Sequence, residues 1–242
     1  MNFYNRRNRV RAVLLATAVC SVFAQVTSAN AATLAMWTFE APPADANGAL
    51  YPNLVAPEIG TGNARGVHQS AATTWTTPAG NGSANSFSSN NWAVGDFYEF
   101  STSTLGFSGV SLSWDQASSN TGPRHFKLAY SFDGSTFTDF IDYSVLANAS
   151  PNPVWNSTTS SALYSFGQDL SGVTALDNRV LVTFRLIDRS TTSANGGIVA
   201  SAGTDRVDNF TIMAAPVPEP DAYVMMLAGL SLLGLVARRR RR

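Results

Sequence analysis

The sequence predicts an all-β protein, an antiparallel β-sandwich that takes up most of the chain. Apolar and polar residues alternate with a period of two over many short stretches, which is typical of half-buried strands. Gly, Asn, Asp and Ser separate these stretches at short intervals, and residues 33–213 contain no convincing long amphipathic helix. The length of 242 residues suits one such domain with a segment added at each end.

Seven stretches carry the strand signal. In residues 109–116, Val110, Leu112 and Trp114 fall on one face, while two serines and an aspartate fall on the other. The same argument places Phe132 and Val180 on the inner face of their strands. Asp133-Gly134 predicts a hairpin turn. The predicted strands lie within residues 33–40, 94–101, 109–116, 124–134, 135–143, 179–188 and 205–214.

Two stretches are rich in small and polar residues and are predicted to form loops. Residues 41–91 contain many Gly, Pro, Ala, Asn and Ser residues, so we expect long loops with short strands around Val67 and Trp75. Residues 192–206 are predicted to form a second loop that leads into the last strand.

The N-terminus has the pattern of a secretory signal peptide. Arginines precede the apolar residues 12–24, and Ala29 and Ala31 form a small-x-small cleavage site. We therefore assign residues 1–32 to a signal peptide that signal peptidase removes. Cys20 is the sole cysteine and lies inside that segment, so the mature domain is expected to have no disulfide and no thiolate metal site.

The charge distribution argues against nucleic-acid binding. Residues 33–217 contain seven cationic and fourteen anionic residues, a net charge of about −7. A domain with this excess of negative charge repels phosphate backbones.

The C-terminus predicts a single transmembrane helix. Residues 222–237 are uncharged and mostly apolar, and five arginines follow them. A helix of this length measures about 24 Å, slightly less than the roughly 30 Å hydrocarbon core. The arginines are expected to stay on the cytoplasmic side. Before the helix, residues 214–220 contain three prolines and are predicted to form a stiff extended spacer.

These three parts together resemble the PEP-CTERM sorting signal of Gram-negative bacteria. The resemblance rests on Val217, Pro218, Glu219 and Pro220, followed by the apolar helix and the terminal arginines, and it covers residues 214–242. It implies that Pro218, Glu219 and Pro220 form a motif that a membrane enzyme, an exosortase, recognises and cuts nearby. It also implies anchoring in the inner membrane during transit, and then delivery to the cell surface or the extracellular matrix.

The middle of the chain, residues 33–213, resembles exported jelly-roll and galactose-binding-like sandwich domains. The resemblance rests on the segments WTFE, GFSGVSLSWDQ, FKLAYSFDGSTFTDF and DRVDNFTI. It implies a fold that often binds carbohydrate, although a fold does not by itself define a function.

The sequence contains no recognisable catalytic motif, so we expect a protein that is not an enzyme. It lacks a nucleophile elbow, a zinc-protease motif, a phosphate-binding loop and a dinucleotide-binding motif. Both histidines, His68 and His125, are predicted to lie on the surface. Two pairs have the residue types that a glycosidase needs, but they are expected to be solvated turn or edge residues: Asp96/Glu99 and Asp139/Asp142.

Two ligand sites can be predicted from residue type. Glu40 ends the first strand, and Asp205 and Asp208 lie in the last, so their carboxylates are candidates for a structural Ca²⁺ site; no other cofactor is expected. The alternative is that the two aspartates are solvent, turn or edge features. Trp75, Trp92 and Trp155 are candidates for stacking on sugar rings, and the alternative is that they fill the ends of the sandwich.

The leading hypothesis is an exported, non-enzymatic protein of the cell surface or biofilm matrix that binds or organises exopolysaccharide. Its expected partners are signal peptidase, exosortase, the membrane and exopolysaccharide. The alternatives are a secreted carbohydrate-active hydrolase, whose carboxylates come together only in the fold, and a purely structural envelope protein.

Overall fold

The computed structural model describes residues 30–217 and 220–240, which form two antiparallel β-sheets followed by a helix. The predicted all-β sandwich is therefore confirmed. The strands are β1 Ala32–Trp37, β2 Ala46–Asn47, β3 Ile59–Gly60, β4 Asn63–Val67, β5 Thr74–Thr76, β6 Phe87–Ser89, β7 Phe97–Thr102, β8 Phe107–Ser118, β9 His125–Ser131, β10 Thr138–Ser144, β11 Ser165–Asp169, β12 Val182–Asp188 and β13 Asp205–Pro216. The helix is α1 Pro220–Arg239.

Strand β13 organises the larger sheet. Its partner along one edge is β8, and along the other edge it pairs with β6 and then with β1. The order β11-β8-β13-β6-β5-β2 forms the main path of this sheet, and β3 joins through β1. The smaller sheet has the order β10-β9-β12-β7-β4. These pairings place the first and last strands of the sandwich, β1 and β13, next to each other in one sheet.

The core is rich in aromatic residues that lie between the two sheets. Phe100 of the smaller sheet stacks on Phe210 of the larger, with ring centroids 3.7 Å apart. Trp37 packs edge-on against both rings at 5.2 and 6.2 Å. Aromatic side chains bury large apolar areas and prefer such stacked and edge-on contacts. This core supplies the stability that the predicted absence of disulfides requires.

The seven predicted strands are present, but two predicted core residues are wrong. Phe132 is 44% exposed and Val180 is 75% exposed. Phe132 lies just after β9, in the hairpin connection, and Val180 lies before β12 begins. Alternation therefore identified the strands but extended two of them past their ends. The predicted Asp133-Gly134 turn is confirmed, with a φ of 75° at Gly134 and with two backbone N–H groups bound to Asp133 Oδ1 at 2.7 Å.

Gly66 of β4 leaves space for the indole ring of Trp75. A Cβ added at Gly66 would lie 2.0 Å from Cζ3 of Trp75, which is far closer than two carbon atoms can approach. Trp75 reaches Gly66 from the opposite sheet, and its Nε1 donates to the carbonyl of Gly48 at 2.9 Å. Because the indole ring is rigid and hydrogen-bonded, it cannot move aside without a loss of contacts.

We therefore expect Gly66→Ala to lower the free energy of unfolding by about 1–3 kcal/mol. The matched control is Gly172→Ala, since a Cβ there meets no atom within 4 Å. Chemical denaturation of both variants measures the difference. Equal stabilities for the two variants would contradict the packing of Trp75 against Gly66.

One end of the sandwich is lined by polar residues that point into the core. Asp96 precedes β7, Asp188 ends β12 and Asp205 begins β13, and all three are at most 2% exposed. Gln116 and Ser118 of β8 bind the carboxylate of Asp205 at 3.0 and 2.8 Å. We call these five residues the polar end. Burying a carboxyl group costs free energy unless the group is protonated or hydrogen-bonded, so this end of the sandwich is a candidate functional site.

The predicted C-terminal helix is present, but the spacer before it is shorter than expected. Strand β13 continues to Pro216, which pairs with Phe107, and the N–H of Val217 donates to the carbonyl of Gly106 at 2.8 Å. Residues 214–216 are therefore part of the sheet and not of an isolated spacer. Helix α1 then runs from Pro220 to Arg239. Within the part of the chain that the structure describes, no helix meets the length and apolarity needed to span a bilayer.

Candidate functional site

A pocket of about 380 Å³ opens beside the polar end, where three loops meet. The loops are those that follow β4, connect β6 to β7, and connect β12 to β13. The lining residues are Gln69, Trp92, Ala93, Val94, Asp188, Ser190, Thr191, Ile198 and Val199. We call this the Asp188 pocket. Its mixture of apolar walls and a few polar groups is typical of small-molecule sites.

Asp188 is the ionisable group of this pocket. Its backbone is fixed by two hydrogen bonds of 2.9 Å, from its N–H to the carbonyl of Asp96 and from the N–H of Gly95 to its own carbonyl. Oδ1 accepts the N–H of Ser190 at 3.2 Å, whereas Oδ2 is buried and has no hydrogen-bond partner among the described residues. Burial raises the pKa of Asp188 to about 7, and the nearby charge of Asp96 adds to the rise. Burial therefore favours the protonated form of this carboxyl group.

Asp96 holds the neighbouring loops together. Its Oδ1 accepts the N–H of Gln69 at 2.8 Å, and its Oδ2 accepts the N–H of Ala93 at 2.7 Å. Burial raises its pKa, although these two backbone hydrogen bonds act in the opposite direction. Both oxygens are thus engaged, and Asp96 positions two walls of the Asp188 pocket.

His68 lies in the core behind the pocket, so its predicted surface position is wrong. Its ring lies 4.7 Å from the centroid of Trp75 and 4.3 Å from that of Trp92. Nδ1 lies 3.1 Å from Thr73 Oγ1 and Nε2 lies 3.2 Å from Ser89 Oγ. Burial lowers the pKa of His68 to about 3. The imidazole is therefore neutral over the ordinary pH range.

Ser89, His68 and Asp96 lie in the order of a nucleophile, a base and an acid, but their setting is structural. Ser89 is 1% exposed, and its hydroxyl also lies 3.3 Å from that of Tyr98. His68 Nδ1 is 3.5 Å from Asp96 Oδ2. A nucleophile must reach its substrate, and the core covers this serine. The three side chains form a buried hydrogen-bonded network. The other histidine, His125, is half-buried, and its Nδ1 contacts Ser144 Oγ at 3.0 Å.

The structure does not bring together the three predicted calcium ligands. Glu40 Oε1 accepts the N–H of Asn85 at 2.9 Å. Asp208 Oδ2 accepts from Asn81 N–H at 3.0 Å and from the Ser83 hydroxyl at 2.6 Å. Asp205 is bound by Gln116 and Ser118, as described above. In residues 30–217 and 220–240, no three His, Cys, Asp or Glu side chains are grouped to hold a metal ion. The alternation along β13 turns Asp205 and Asp208 into separate hydrogen-bond networks.

The three tryptophans predicted to stack on sugars are buried. Trp75, Trp92 and Trp155 are 0%, 6% and 5% exposed. Trp75 and Trp92 belong to the main core, while Trp155 packs edge-on against Tyr164 with centroids 5.8 Å apart. None of the three presents an open ring face, and each packs inside the domain. Trp92 still contributes to one wall of the Asp188 pocket.

Glu99, one of the candidate carboxylates, is held by two arginines on the outer face of the smaller sheet. It accepts hydrogen bonds from Nε of Arg65 and Nε of Arg185, both at 2.7 Å. The guanidinium of Arg185 lies 4.0 Å from the ring centroid of Phe97 and 3.6 Å from that of Phe137. These contacts neutralise Glu99 and make it a structural residue of this face.

Asp139 and Asp142 are also paired with cations. Asp139 lies 2.8 Å from Lys127 Nζ, and Asp142 forms an ion pair with Arg189. Both aspartates are more than 60% exposed, as expected for edge residues. They do not form a catalytic pair with each other.

The predicted processing sites lie mostly outside the described residues. Ala29, Pro218 and Glu219 are among the residues that the structure does not describe, as is almost all of the predicted signal peptide. Ala31 is exposed, and β1 begins at the next residue, Ala32. Pro220 is the first residue of α1. Cleavage after Ala31 would leave the whole of β1 in the mature protein, and cleavage after Ala32 would remove only the first residue of this strand.

Helix α1 presents apolar side chains to solvent over its described length. The exposed fractions are 43–63% for Leu227, Leu230, Leu232, Leu233 and Val236. Arg238 and Arg239 lie in its last turn. An apolar helix that ends in cations and follows Val-Pro-Glu-Pro matches a protein-sorting signal. Residues 216–242 carry a PEP-CTERM protein-sorting motif. The motif implies export of the protein and sorting at a membrane.

The sandwich resembles carbohydrate-binding and adhesin domains of known structure. The CBM22-2 xylan-binding domain of Paenibacillus barcinonensis Xyn10C aligns with a TM-score of 0.40 and 12% identity over 75% of this chain and 99% of that domain. The K3 cleaved adhesin domain of Lys-gingipain from Porphyromonas gingivalis W83 aligns with a TM-score of 0.38 and 15% identity over 75% of this chain and 98% of that domain. No curated protein has significant sequence similarity to the chain. The structural likeness concerns the general fold and says nothing about what this chain binds.

Proposed function

We propose that this is a non-enzymatic protein of the cell surface or extracellular matrix of a Gram-negative bacterium, where its sandwich binds exopolysaccharide. The sorting motif at residues 216–242 is the observation that carries the proposal. A protein with this motif is made to leave the cell, so its ligand is to be sought among extracellular molecules. The Asp188 pocket favours a ligand-binding role over a purely structural one.

In this proposal the tail is an address that is later removed. Signal peptidase cuts after Ala31, and α1 then holds the chain at the inner membrane while an exosortase recognises Pro218, Glu219 and Pro220. The exposed leucines of α1 support this role, because lipid stabilises exposed apolar side chains. The terminal arginines keep the end of the helix on the cytoplasmic side.

The arrangement of carboxyl groups supports a non-enzymatic role over a hydrolase. A glycosidase needs two carboxyl groups that face each other across a cleft. Asp188 lines the pocket, but the adjacent Asp96 has both oxygens occupied by backbone N–H groups. The pocket therefore offers one carboxyl group where hydrolysis needs two.

Intact-mass measurement of the protein from cells and from medium tests the sorting. In cells that contain an exosortase, we expect a species that lacks the chain beyond about residue 220. A variant with alanine at positions 218, 219 and 220 should remain full-length and membrane-bound. Ser231→Ala, a change outside the Pro-Glu-Pro sequence, is the control and should be processed normally. A full-length species in all three cases would make the tail a permanent anchor and would contradict the proposal.

A further inference from the structure

Asp188 brings to the pocket a carboxyl group whose Oδ2 has no hydrogen-bond partner and no cation beside it among the described residues. Four ion pairs occur within the described residues, and none of them includes Asp188. The cation next to it in sequence, Arg189, points to Asp142 instead. The charge of Asp96 opposes the ionisation of Asp188, and His68 beside Asp96 is neutral. The cation Arg206 acts on Asp205, whose own ionisation Asp188 opposes.

The mouth of the pocket is apolar, although it is exposed. Ile198 is 81% exposed and Val94 is 48% exposed, and both lie on loops that line the pocket. Large apolar side chains beside a cavity often mark a binding site. Gln69, Ser190 and Thr191 add hydrogen-bonding groups to the lining. A ring with one apolar face, several hydroxyl groups and one positive charge matches all three properties.

We propose that the Asp188 pocket binds an amino sugar of an extracellular polysaccharide through its ammonium group. This inference rests on the proposed carbohydrate-binding function and specifies its ligand. The ammonium group supplies the positive charge that Asp188 lacks, and the apolar face of the sugar ring packs against the exposed side chains of Val94 and Ile198. Charge complementarity selects the ligand, because a neutral sugar leaves the carboxyl group unbalanced.

The proposal also predicts a proton release. In the free protein, burial raises the pKa of Asp188 to about 7, so near neutral pH Asp188 is protonated in many of the molecules. An ammonium group favours the ionised form and lowers that pKa. Slightly below neutral pH, where the amine of the sugar is already fully protonated, binding of the amino sugar therefore releases protons to the solution, whereas binding of a neutral sugar does not.

Calorimetric titration of the full-length protein with three disaccharides of the same linkage tests the inference. The probes are chitobiose, which carries two amines, its N,N′-diacetyl form, and cellobiose. We expect chitobiose to bind at least about tenfold more tightly than the other two. Repeating the titration in buffers of different ionisation enthalpy measures the proton release.

Two variants and one control locate the site. Asp188→Asn should weaken chitobiose binding about tenfold and abolish the proton release. Ile198→Ser alters an exposed side chain that the core does not need, and it should weaken binding severalfold. Asp169→Asn removes the same charge from an exposed position on β11 and should bind as the native protein does.

The outcomes separate this inference from the proposed function. Equal affinities for cellobiose and chitobiose would leave carbohydrate binding intact and overturn the ammonium specificity. Tight chitobiose binding that Asp188→Asn and Ile198→Ser do not weaken would place the ligand elsewhere and overturn the site. If none of the disaccharides binds, the inference fails, while the sorting half of the proposed function is still decided by the mass measurement.

Discussion

Replacing Trp75 with alanine is expected to lower the free energy of unfolding by about 3–5 kcal/mol. Trp75 is fully buried and stacks on Phe87 with centroids 5.4 Å apart. It also packs edge-on against Tyr51 at 6.0 Å and against His68 at 4.7 Å. Its removal leaves a cavity between the sheets and an unpaired carbonyl at Gly48, so both packing and hydrogen bonding are lost.

Urea denaturation followed by circular dichroism measures this loss. Val180→Ala is the control, because Val180 is 75% exposed and its truncation should change stability by about 0.5 kcal/mol or less. The double variant Gly66→Ala/Trp75→Ala adds a second check. The extra methyl group at position 66 should cost much less once the indole is gone, since the two residues are in contact. Additive effects of the two changes would contradict the packing described here.

The second large effect is a fall in stability as the pH rises from about 5 to about 8. Burial raises the pKa of Asp188 to about 7 and that of Asp208 to about 6, and it raises that of Asp205 well above its usual value. In the unfolded chain these groups lose their protons near pH 4. Between the two pKa values the native state holds more protons than the unfolded state, so the free energy of unfolding decreases as pH increases.

The ionisation of His68 changes the free energy of unfolding in the opposite direction, and it does so over a lower pH range. Its pKa is lowered to about 3 in the native state, so its contribution increases with pH up to its unfolded pKa near 6.5. Because three aspartates act against one histidine, we expect the free energy of unfolding to fall by on the order of 3 kcal/mol between about pH 5 and about pH 8. This is the reverse of the behaviour of a protein whose carboxylates are stabilised by salt bridges.

Denaturation curves at several pH values check this expectation, and Asp188→Asn isolates one residue. The variant cannot ionise at position 188, so its stability should fall by about 2 kcal/mol less than that of the native protein over the same range. Asp169→Asn, at an exposed position on β11, should keep the native slope. A stability that rises continuously from pH 5 to pH 8 would show that the buried aspartates are charged in the native state.

The sheet architecture could be predicted from the sequence because alternation depends on the chain alone. Val182, Phe184 and Leu186 mark the inner face of β12, and the same period continues to Asp188. It also places Asp96 two residues before Tyr98. The signal for the polar end was therefore present in the sequence, as carboxyl groups at inward positions of strands. Residue type alone predicts a solvated turn or edge position for Asp96, whereas its side chain is buried.

Other features depend on contacts between distant segments and could not be predicted in this way. His68 follows a short strand in a Gly- and Ser-rich region, and its burial depends on Trp75 and Trp92 from other segments. Strands β2, β3 and β6 have two or three residues each, too few to show a period. The loop-like sequence around Trp75, Trp92 and Trp155 suggests exposed side chains, but the large apolar area of each indole favours burial.

The pairing of the last strand has a consequence for how near a processing enzyme must come to the folded domain. The sheet holds Pro216, and the N–H of Val217 is bonded to the carbonyl of Gly106, so Pro218 follows the last bonded residue directly. One residue of extended chain spans about 3.5 Å. An enzyme that binds Pro-Glu-Pro therefore finds almost no free chain on the N-terminal side of the motif. It must approach the folded domain close to Gly106. A protein cut at this point would end only a few residues after β13, without a flexible stalk between the sandwich and the new C-terminus.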